Sequence, residues 1–306
     1  HYTHGRMAEV LGMPSVTLSL DQGWDQGLEQ LPAEDIGTLV VTMGTTGMGK
    51  VEPLSLILDW AQARGIRVHI DAAYGGFFKT VGHLLGDSAK DWARMHEADS
   101  IVVDPHKHGL QPYGCGCVLF KDSQVGHFYK HDSPYTYFSS EELHLGEISL
   151  ECSRAGASAA AFWATLKAFP LQADQGFGPI MMACHRAAQN AYEYLTNSAV
   201  LQPVATPELD IICYAPISKG QPTSTKEITQ GSKAVFKAGM EHKDPAKRYY
   251  VSLFTIHSAT LAQHIPGIVI DSDDVVVLRS VLMRPEQEYS ITDLLSRVEY
   301  DLSRLL

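Results

Sequence analysis

The chain has 306 residues, of which 45% are hydrophobic and 19% are charged, and its formal net charge is −11. This composition is that of a globular protein with ample apolar material for a core. The acidic charge argues against nucleic acid as the main partner, because binding to phosphates needs clustered Lys and Arg. No uncharged apolar run reaches the length of a membrane span, so we predict none. The five cysteines do not suggest a disulfide framework, which favours a reducing cytoplasmic location.

In chain order, short apolar runs alternate with amphipathic stretches through the first half of the sequence. The apolar runs predict strands at 15–20, 38–43, 68–71, 100–104 and 116–120. The amphipathic stretches predict helices at 6–11, at 54–64 and within 88–95. This alternation predicts a mostly parallel α/β sheet with right-handed crossovers. The segments around Val103 and Val118 are close enough in sequence to form a hairpin instead.

The pattern changes in the second half of the chain. A polar and aromatic stretch at 129–146 predicts a loop, and two helices are predicted at 155–169 and 177–196. Beyond that point we predict strands at 211–214, 249–254 and 275–281. Helices are predicted at 225–242 and 291–305. Strands with helices segregated around them suggest an α+β domain. We therefore predict a large domain over 1–172 and a smaller C-terminal α+β domain over 173–306.

Two of the predicted strands end in groups that together can form a chemical site. The segment 98–107 runs from an apolar strand to Lys107, and the segment 68–76 runs from another strand to Asp71. Ligands bind beyond the carboxyl ends of the strands in open α/β sheets, so the amine and the carboxylate can share one ligand. A lysine can attach covalently to the aldehyde of pyridoxal 5'-phosphate, and an aspartate can hold the proton on its ring nitrogen. The sequence therefore predicts a pyridoxal phosphate site.

Neighbouring residues complete the predicted site. His106 can donate a hydrogen bond to the cofactor phosphate or to a substrate carboxylate, and Ala73 is small enough to lie against one face of the ring. Thr45 and Thr46 follow another strand and offer hydroxyls for a phosphate oxygen or the ring hydroxyl. His106 and His108 without a third ligand are a weak zinc signal, so we predict no metal site.

These segments resemble the pyridoxal-phosphate-dependent group II amino-acid decarboxylases. Residues 69–76 are similar to their His-Val-Asp-Ala-Ala-Tyr-Gly-Gly segment, and residues 100–107 to their Ser-x-x-x-Asp-Pro-His-Lys segment. Residues 41–47 are similar to their strand that ends in Gly-Thr-Thr. Residues 1–12 are similar to the stretch of glutamate decarboxylases that begins with a ring-stacking histidine.

The resemblance implies the fold of the large aspartate-aminotransferase-like enzymes (fold type I), built as homodimers with active sites at the subunit interface. It implies that His1, rather than His4, stacks on the cofactor ring, and it adds Ser100 to the cofactor-binding residues. Family members carry segments before the stacking histidine, including a small-residue turn that binds the phosphate. We therefore expect the large domain of this chain to lack its N-terminal part.

The resemblance also implies a mobile loop whose tyrosine reaches the active site of the partner subunit. Tyr137 matches best and Tyr135 second, so Tyr137 joins Lys107 and His106 as a predicted catalytic residue. His108 stands at a position often held by Trp or Met in the family.

The predicted reaction is the α-decarboxylation of an L-amino acid to an amine and CO₂. Residues 104–122 and 151–170 look most like the microbial tyrosine decarboxylases, although Arg154 stands where those enzymes have Lys. This resemblance favours a tyrosine-like aromatic substrate, with aspartate or glutamate second. Arg279 is either a charge on the face of a small-domain strand or a ligand for a substrate carboxylate. An aminotransferase, another carbon–carbon lyase and a non-catalytic decarboxylase-like scaffold remain open alternatives.

Overall fold

The computed structural model describes residues 1–18, 23–130, 148, 155–218 and 220–305. The chain divides into two compact units. The first comprises His1–Met43 and Glu52–Pro170, and the second comprises Gly44–Val51 and Leu171–Leu306. The predicted domains, 1–172 and 173–306, stay a prediction. The short segment 44–51 groups with the second unit because its polar groups bond to Glu208 and Arg279 of that unit.

The first unit is built on a four-stranded sheet in the order β1-β2-β3-β4. Its strands are β1 (Thr38–Thr42), β2 (Arg67–Asp71), β3 (Ser100–Val103) and β4 (Cys117–Phe120). The first three strands are parallel, and β4 runs antiparallel to β3, with Val102 opposite Val118. The predicted mostly parallel sheet is therefore confirmed, and so is the hairpin alternative for the β3–β4 pair.

Helices cover one face of this sheet because the alternate side chains of its strands are apolar. Val41, Val68 and Ile70 are almost completely buried on that face. The helices of the unit are α1 (Thr3–Val10), α2 (Trp24–Glu29), α3 (Leu54–Gln62), α4 (Ala89–Arg94) and α5 (Ala157–Ala168), with a 3₁₀ segment at Gly76–Leu84. Helix α3 follows Pro53 and buries residues spaced three and four apart, namely Leu54, Ile57, Leu58 and Ala61.

The strand predicted at 15–20 is wrong over its described part. Residues 15–18 form no strand, and the side chain of Val16 is 71% exposed. An apolar run becomes a stable strand only when neighbouring strands accept its backbone hydrogen bonds, and residues 15–18 have no such neighbour in the described sheets.

The second unit has an antiparallel sheet in the order β5-β6-β8-β7. Its strands are β5 (Leu201–Pro203), β6 (Ile211–Pro216), β7 (Ser252–His257) and β8 (Asp274–Val281). Its helices are α6 (Phe177–Asn197), α7 (Thr225–Glu241), α8 (Ser258–His264) and α9 (Gln287–Leu305). Apolar faces of α6, α7 and α9 pack with Ile212, Tyr214 and Leu278 of the sheet into one core. The α+β architecture expected for the C-terminal region is confirmed.

Helix α7 begins at a capping box, in which Ser224 accepts from the backbone of Glu227 and the side chain of Glu227 accepts from the backbone of Ser224. No helix in the described part of the chain is long and apolar enough to cross a membrane.

Candidate cofactor site

The two loops that carry Asp71 and Lys107 meet at one edge of the first sheet. Asp71 is the last residue of β2 and pairs with Val102 of the parallel strand β3. Beyond the strands, the amide of Asp104 donates to the carbonyl oxygen of Ala73 over 3.3 Å. Because the carboxyl ends of parallel strands share an edge, this hydrogen bond holds the loop after β2 against the loop after β3.

Small residues make this close approach of the two loops possible. A Cβ atom on Gly76 would lie 2.8 Å from both Cγ atoms of Val103, the last residue of β3. A Cβ atom on Gly109 would lie 2.6 Å from the Cα atom of Pro105. Leu110 has a φ of 60°, the only positive value at a non-glycine residue in the described part of the chain. The turn after Lys107 is therefore tightly packed and locally strained.

Lys107 lies in this turn with its amine held by a carboxylate. Its Nζ atom lies 2.8 Å from Oδ2 of Asp104, and its amide donates to the carbonyl oxygen of Asp104 over 2.9 Å. The lysine side chain is 32% exposed, so a ligand can reach the amine. Asp104 was not among the predicted site residues, although its spacing of three from Lys107 within a turn is a signal for such a contact.

His106 presents one nitrogen to a ligand. Its Nδ1 atom donates to the carbonyl oxygen of Cys115 over 2.7 Å, and a carbonyl can only accept, so Nδ1 carries a hydrogen. The other nitrogen, Nε2, lies 3.8 Å from Oδ2 of Asp104. The ring of Tyr113, whose side chain is 94% exposed, meets His106 edge-on with 5.1 Å between centroids. Tyr113 is thus an aromatic side chain beside His106 that was not among the predicted site residues.

The carboxylate of Asp71 is buried and fixed by two donors. Its Oδ1 atom accepts from the amide of Ala73 over 3.1 Å, and its Oδ2 atom lies 2.7 Å from Nε2 of His4 in helix α1. Burial raises the pKa of Asp71, but the hydrogen bonds from His4 and Ala73 outweigh it, so the net pKa lies below the usual range. Asp71 therefore carries a full negative charge at neutral pH, as a partner for a protonated ring nitrogen must.

A second, half-buried carboxyl group, that of Glu52, lies near Asp71. Its Oε2 atom accepts from the amide of Thr42 over 2.7 Å. Burial raises the pKa of Glu52, and the charge of Asp71 raises it further. Glu52 escaped the sequence prediction because nothing in its local segment indicates that it folds back onto the end of β1.

Ser100 lies at the opposite end of β3 from Lys107. It begins β3, whereas Lys107 follows the end of that strand, and the strand register places Ser100 opposite His69. The Ser100 hydroxyl lies 2.7 Å from Nδ1 of His69. Burial lowers the pKa of His69, although the nearby charge of Asp71 acts the other way. The cofactor contact of Ser100 stays a prediction to which this position adds no support.

The structure adds no cofactor contact for the remaining predicted residues, which stay predictions. His1 is exposed, and its ring lies 4.2 Å from that of Tyr2, so its stacking role stays a prediction. Thr45 and Thr46 belong to the second unit, where the Thr45 hydroxyl accepts from the amide of Lys50 over 3.0 Å. Tyr137, with Tyr135 and Arg154, lies outside the described residues.

His106 and His108 bond to different backbone carbonyl groups. His108 is 1% exposed, and its Nδ1 atom donates to the carbonyl oxygen of Tyr74 over 3.0 Å, while His106 bonds to Cys115. Across the described ranges, no cluster of three or more His, Cys, Asp or Glu side chains could hold a metal ion.

The group as a whole suits pyridoxal phosphate. It offers a reachable primary amine at Lys107, an ionised carboxylate at Asp71 and a ring nitrogen at His106, on loops that hydrogen-bond to each other. An amine can bind an aldehyde, a carboxylate can bind a protonated pyridine nitrogen, and an imidazole can bind an anionic substituent.

Comparison with known proteins agrees with this chemistry. Residues 28–216, more than half of the chain, match the family described as the pyridoxal-dependent decarboxylase conserved domain. The chain belongs to this family. The predicted cofactor, pyridoxal 5'-phosphate, is the one on which the family depends, and the predicted resemblance to pyridoxal-phosphate-dependent decarboxylases is confirmed.

The individual relatives that match share less than a third of their aligned residues with this chain. A probable L-tyrosine/L-aspartate decarboxylase of Methanothermobacter thermautotrophicus is 28% identical over 218 residues, which cover 70% of this chain and 57% of that protein. An L-tyrosine decarboxylase of Enterococcus faecium is 29% identical over 191 residues, covering 51% of this chain and 31% of that protein. The matches thus span about half the length of the first relative, and less of the second.

The fold has a close counterpart among solved structures. The structure of Oryza sativa TDC with PLP and tryptamine has a TM-score of 0.76 and 16% identity, and the match covers 100% of this chain and 61% of that one. At this identity the likeness shows the fold alone. The predicted fold-type-I architecture is therefore confirmed.

Proposed function

We propose that this chain catalyses the pyridoxal-phosphate-dependent α-decarboxylation of an L-amino acid to an amine and CO₂. The observation that carries the proposal is the hydrogen bond between Ala73 and Asp104, which ties the loop of Asp71 to the loop of Lys107. If Lys107 served only as a structural ion-pair partner of Asp104, the ionised carboxylate of Asp71 at the end of the neighbouring strand would have no purpose. Family membership supports the same reaction class.

Each residue has a role that follows from its surroundings. Bound pyridoxal phosphate supplies an aldehyde that captures amines and a ring that accepts electrons. Lys107 supplies the amine that tethers this group, once its contact with Asp104 has opened. Asp71, which the hydrogen bonds from His4 and Ala73 keep ionised by lowering its pKa, holds a proton at the ring nitrogen. The Cys115 carbonyl occupies Nδ1 of His106 and leaves Nε2 for the ligand, so the protonated imidazole can donate from Nε2 to a phosphate or a carboxylate.

The finer substrate proposal is a tyrosine-like aromatic amino acid. It is supported by the resemblance of residues 104–122 to microbial tyrosine decarboxylases and by the E. faecium relative. Aspartate is the second candidate, because the name of the M. thermautotrophicus relative includes both substrates. Arg279 adds no support for an acidic substrate, since its guanidinium donates to the carbonyl oxygens of Gly47 and Thr46 within the second unit.

The test has two arms. The chain is incubated with pyridoxal phosphate, reduced with borohydride and digested, and the modified peptide is located by mass spectrometry. Modification at Lys107, lost in Lys107→Ala, supports the proposal, whereas modification spread over surface lysines contradicts it. In the second arm the chain is incubated with a mixture of amino acids. Tyramine indicates the aromatic substrate, β-alanine indicates aspartate, and a keto acid indicates an aminotransferase.

A homodimer, a cytoplasmic location and a proton-donating Tyr137 complete the proposal, and they rest on the resemblance and on the cysteine content. Light scattering of the purified chain tests the dimer. The ratio of amine to aldehyde formed by Tyr137→Phe tests the tyrosine. Without the proton donor, dissolved dioxygen should oxidise the decarboxylated substrate, so that aldehyde, ammonia and hydrogen peroxide form in place of the amine.

A further inference from the structure

A histidine outside every predicted role contacts the central carboxylate of the candidate site. Nε2 of His4 lies 2.7 Å from Oδ2 of Asp71, across 67 positions of sequence. No residue of helix α1 is buried, and the side chain of His4 is itself 37% exposed. The contact with Asp71 is therefore the feature that distinguishes His4 from the other residues of its helix.

The geometry at Asp71 is that of an oriented carboxylate. The amide of Ala73 holds Oδ1 from the protein backbone, and the imidazole of His4 holds Oδ2 from helix α1. Two donors on two different oxygens fix the plane of the group, whereas one donor leaves it free to rotate about its Cα–Cβ and Cβ–Cγ bonds. Each ionised oxygen has two lone pairs, so an N–H group of a ligand can still be accepted.

Two other ionisable groups lie near Asp71. The charge of Asp71 raises the pKa of Glu52, and His69 lies two residues earlier on the same strand face with its Nδ1 atom engaged by Ser100. Of these two neighbouring histidines, His4 and not His69 forms the hydrogen bond to the Asp71 carboxylate. Its N–H therefore offsets the burial of Asp71 and lowers the pKa of that carboxyl group.

We propose that His4 is a positioning residue, whose imidazole fixes the Asp71 carboxylate for the ring nitrogen of pyridoxal phosphate. The inference rests on the proposed function, since it assigns Asp71 to that nitrogen. It differs from the role implied for His1 by the family resemblance, because His4 acts on the carboxylate and not on the face of the ring.

The experiment compares variants that separate the hydrogen bond from the ring shape. His4→Phe keeps a ring without a donor, and His4→Gln keeps an N–H donor at similar reach. Glu9→Ala, at an exposed position of the same helix, is the control. The affinity of the full chain for pyridoxal phosphate is measured by equilibrium dialysis, and the absorbance band of the bound cofactor is recorded for each variant.

We expect His4→Phe to weaken cofactor binding by roughly tenfold to a hundredfold, as loss of a hydrogen bond to a charged group does. His4→Gln should remain within about threefold of the unmodified chain, with an unchanged absorbance band, and Glu9→Ala should bind equally well. Urea unfolding identifies any variant that does not fold, and His4→Ala then replaces His4→Phe in the comparison.

Two contrary outcomes are distinguishable. If His4→Phe binds the cofactor within about twofold of the unmodified chain while Asp71→Ala loses it, the role of His4 is refuted and the proposed function stands. If Asp71→Ala and Lys107→Ala both bind the cofactor normally, the proposed function fails, and the inference fails with it.

Discussion

The amide of Asp104 donates to the carbonyl oxygen of Ala73 over 3.3 Å, so the loops that follow two parallel strands are tied to each other. Asp104 also holds the amine of Lys107 at 2.8 Å, and Ala73 donates to the carboxylate of Asp71. A shift of either loop would therefore displace both the amine of Lys107 and the carboxylate of Asp71. This coupling makes the packing between the loops as important to the site as the two side chains themselves.

Gly76→Ala should destabilise the chain by about 1–3 kcal/mol, because the added Cβ would lie 2.8 Å from the methyl groups of Val103 and push β3 from the turn. Gly5→Ala is the matched control, since nothing lies within 4 Å of its added Cβ in the exposed helix α1, and a gain of about 0.5–1 kcal/mol is expected there. Urea unfolding measures both. Equal midpoints for the two variants would show that the glycine is not needed for this packing.

Glu52→Gln should stabilise the folded chain at neutral pH. The folded-state pKa of Glu52 is raised, chiefly by burial, so the folded state binds its proton more tightly than the unfolded state does. Below about pH 4 both states are protonated and the advantage of Gln vanishes. Between the ordinary pKa of the unfolded state and the raised pKa of the folded state, the wild-type chain loses stability relative to the variant as the pH rises.

The measurement is urea unfolding from about pH 4 to about pH 8, a range that spans the ordinary pKa of a glutamate and neutral pH. The exposed Glu34→Gln serves as the control for the loss of a surface charge. An effect of Glu52→Gln that is constant with pH would contradict the assigned burial of the carboxyl group.

Arg279→Ala should lower the stability of the second unit by about 1–3 kcal/mol. Its Nε atom donates to the carbonyl oxygen of Gly47 over 2.8 Å, and its Nη2 atom donates to that of Thr46, so removal leaves the segment 44–51 without these donors. Arg279→Lys should recover only part of the loss, because an ammonium cannot reproduce the planar fork of guanidinium donors. The exposed Arg284→Ala is the control. A stability equal to wild type combined with a raised KM would instead favour the substrate-carboxylate role.

Gln111 and Thr165 should show coupling in a double-mutant cycle. Nε2 of Gln111 donates to Oγ1 of Thr165 over 2.7 Å, and that hydroxyl in turn donates to the carbonyl oxygen of Ala161. We expect Gln111→Ala, Thr165→Val and the double variant to give a coupling free energy of about 0.5–1.5 kcal/mol. Thermal and urea unfolding supply the values. Strict additivity would mean that the bond contributes nothing to holding helix α5 near the Lys107 turn.

The parts of the fold that depend on local pattern were predictable from the sequence. The strands that end in Thr42, Asp71 and Val103 were placed to within one residue at that end, because each is a short apolar run that ends at a polar residue or turn. The same pattern misled at residues 15–18, where no partner strand exists in the described structure. Strand β5 was missed because three residues carry too little pattern.

The candidate site was predictable where it follows the strands and unpredictable where it depends on distant contacts. Lys107 and Asp71 were predicted because Asp71 ends one apolar strand and Lys107 follows the end of the adjacent one. His4 contacts Asp71 across 67 positions of sequence, and Glu52 contacts Thr42 through a fold-back, so neither leaves a local signal. The strand predicted at 100–104 placed Ser100 at the start of β3, and its contact with the cofactor stays a prediction.

The chain leaves the first unit at Gly44 and returns to it at Glu52, after eight residues that belong to the second unit. The hydrogen-bond partners of this segment, Glu208 and Arg279, lie far along the chain. Neither unit is therefore encoded by one uninterrupted stretch of the gene. A truncation after Pro170 would strip this segment of its partners, and a gene beginning at Leu171 would omit it altogether. Attempts to express either half alone should give unstable fragments, and recombination between relatives should succeed only when this segment and the C-terminal half are inherited together.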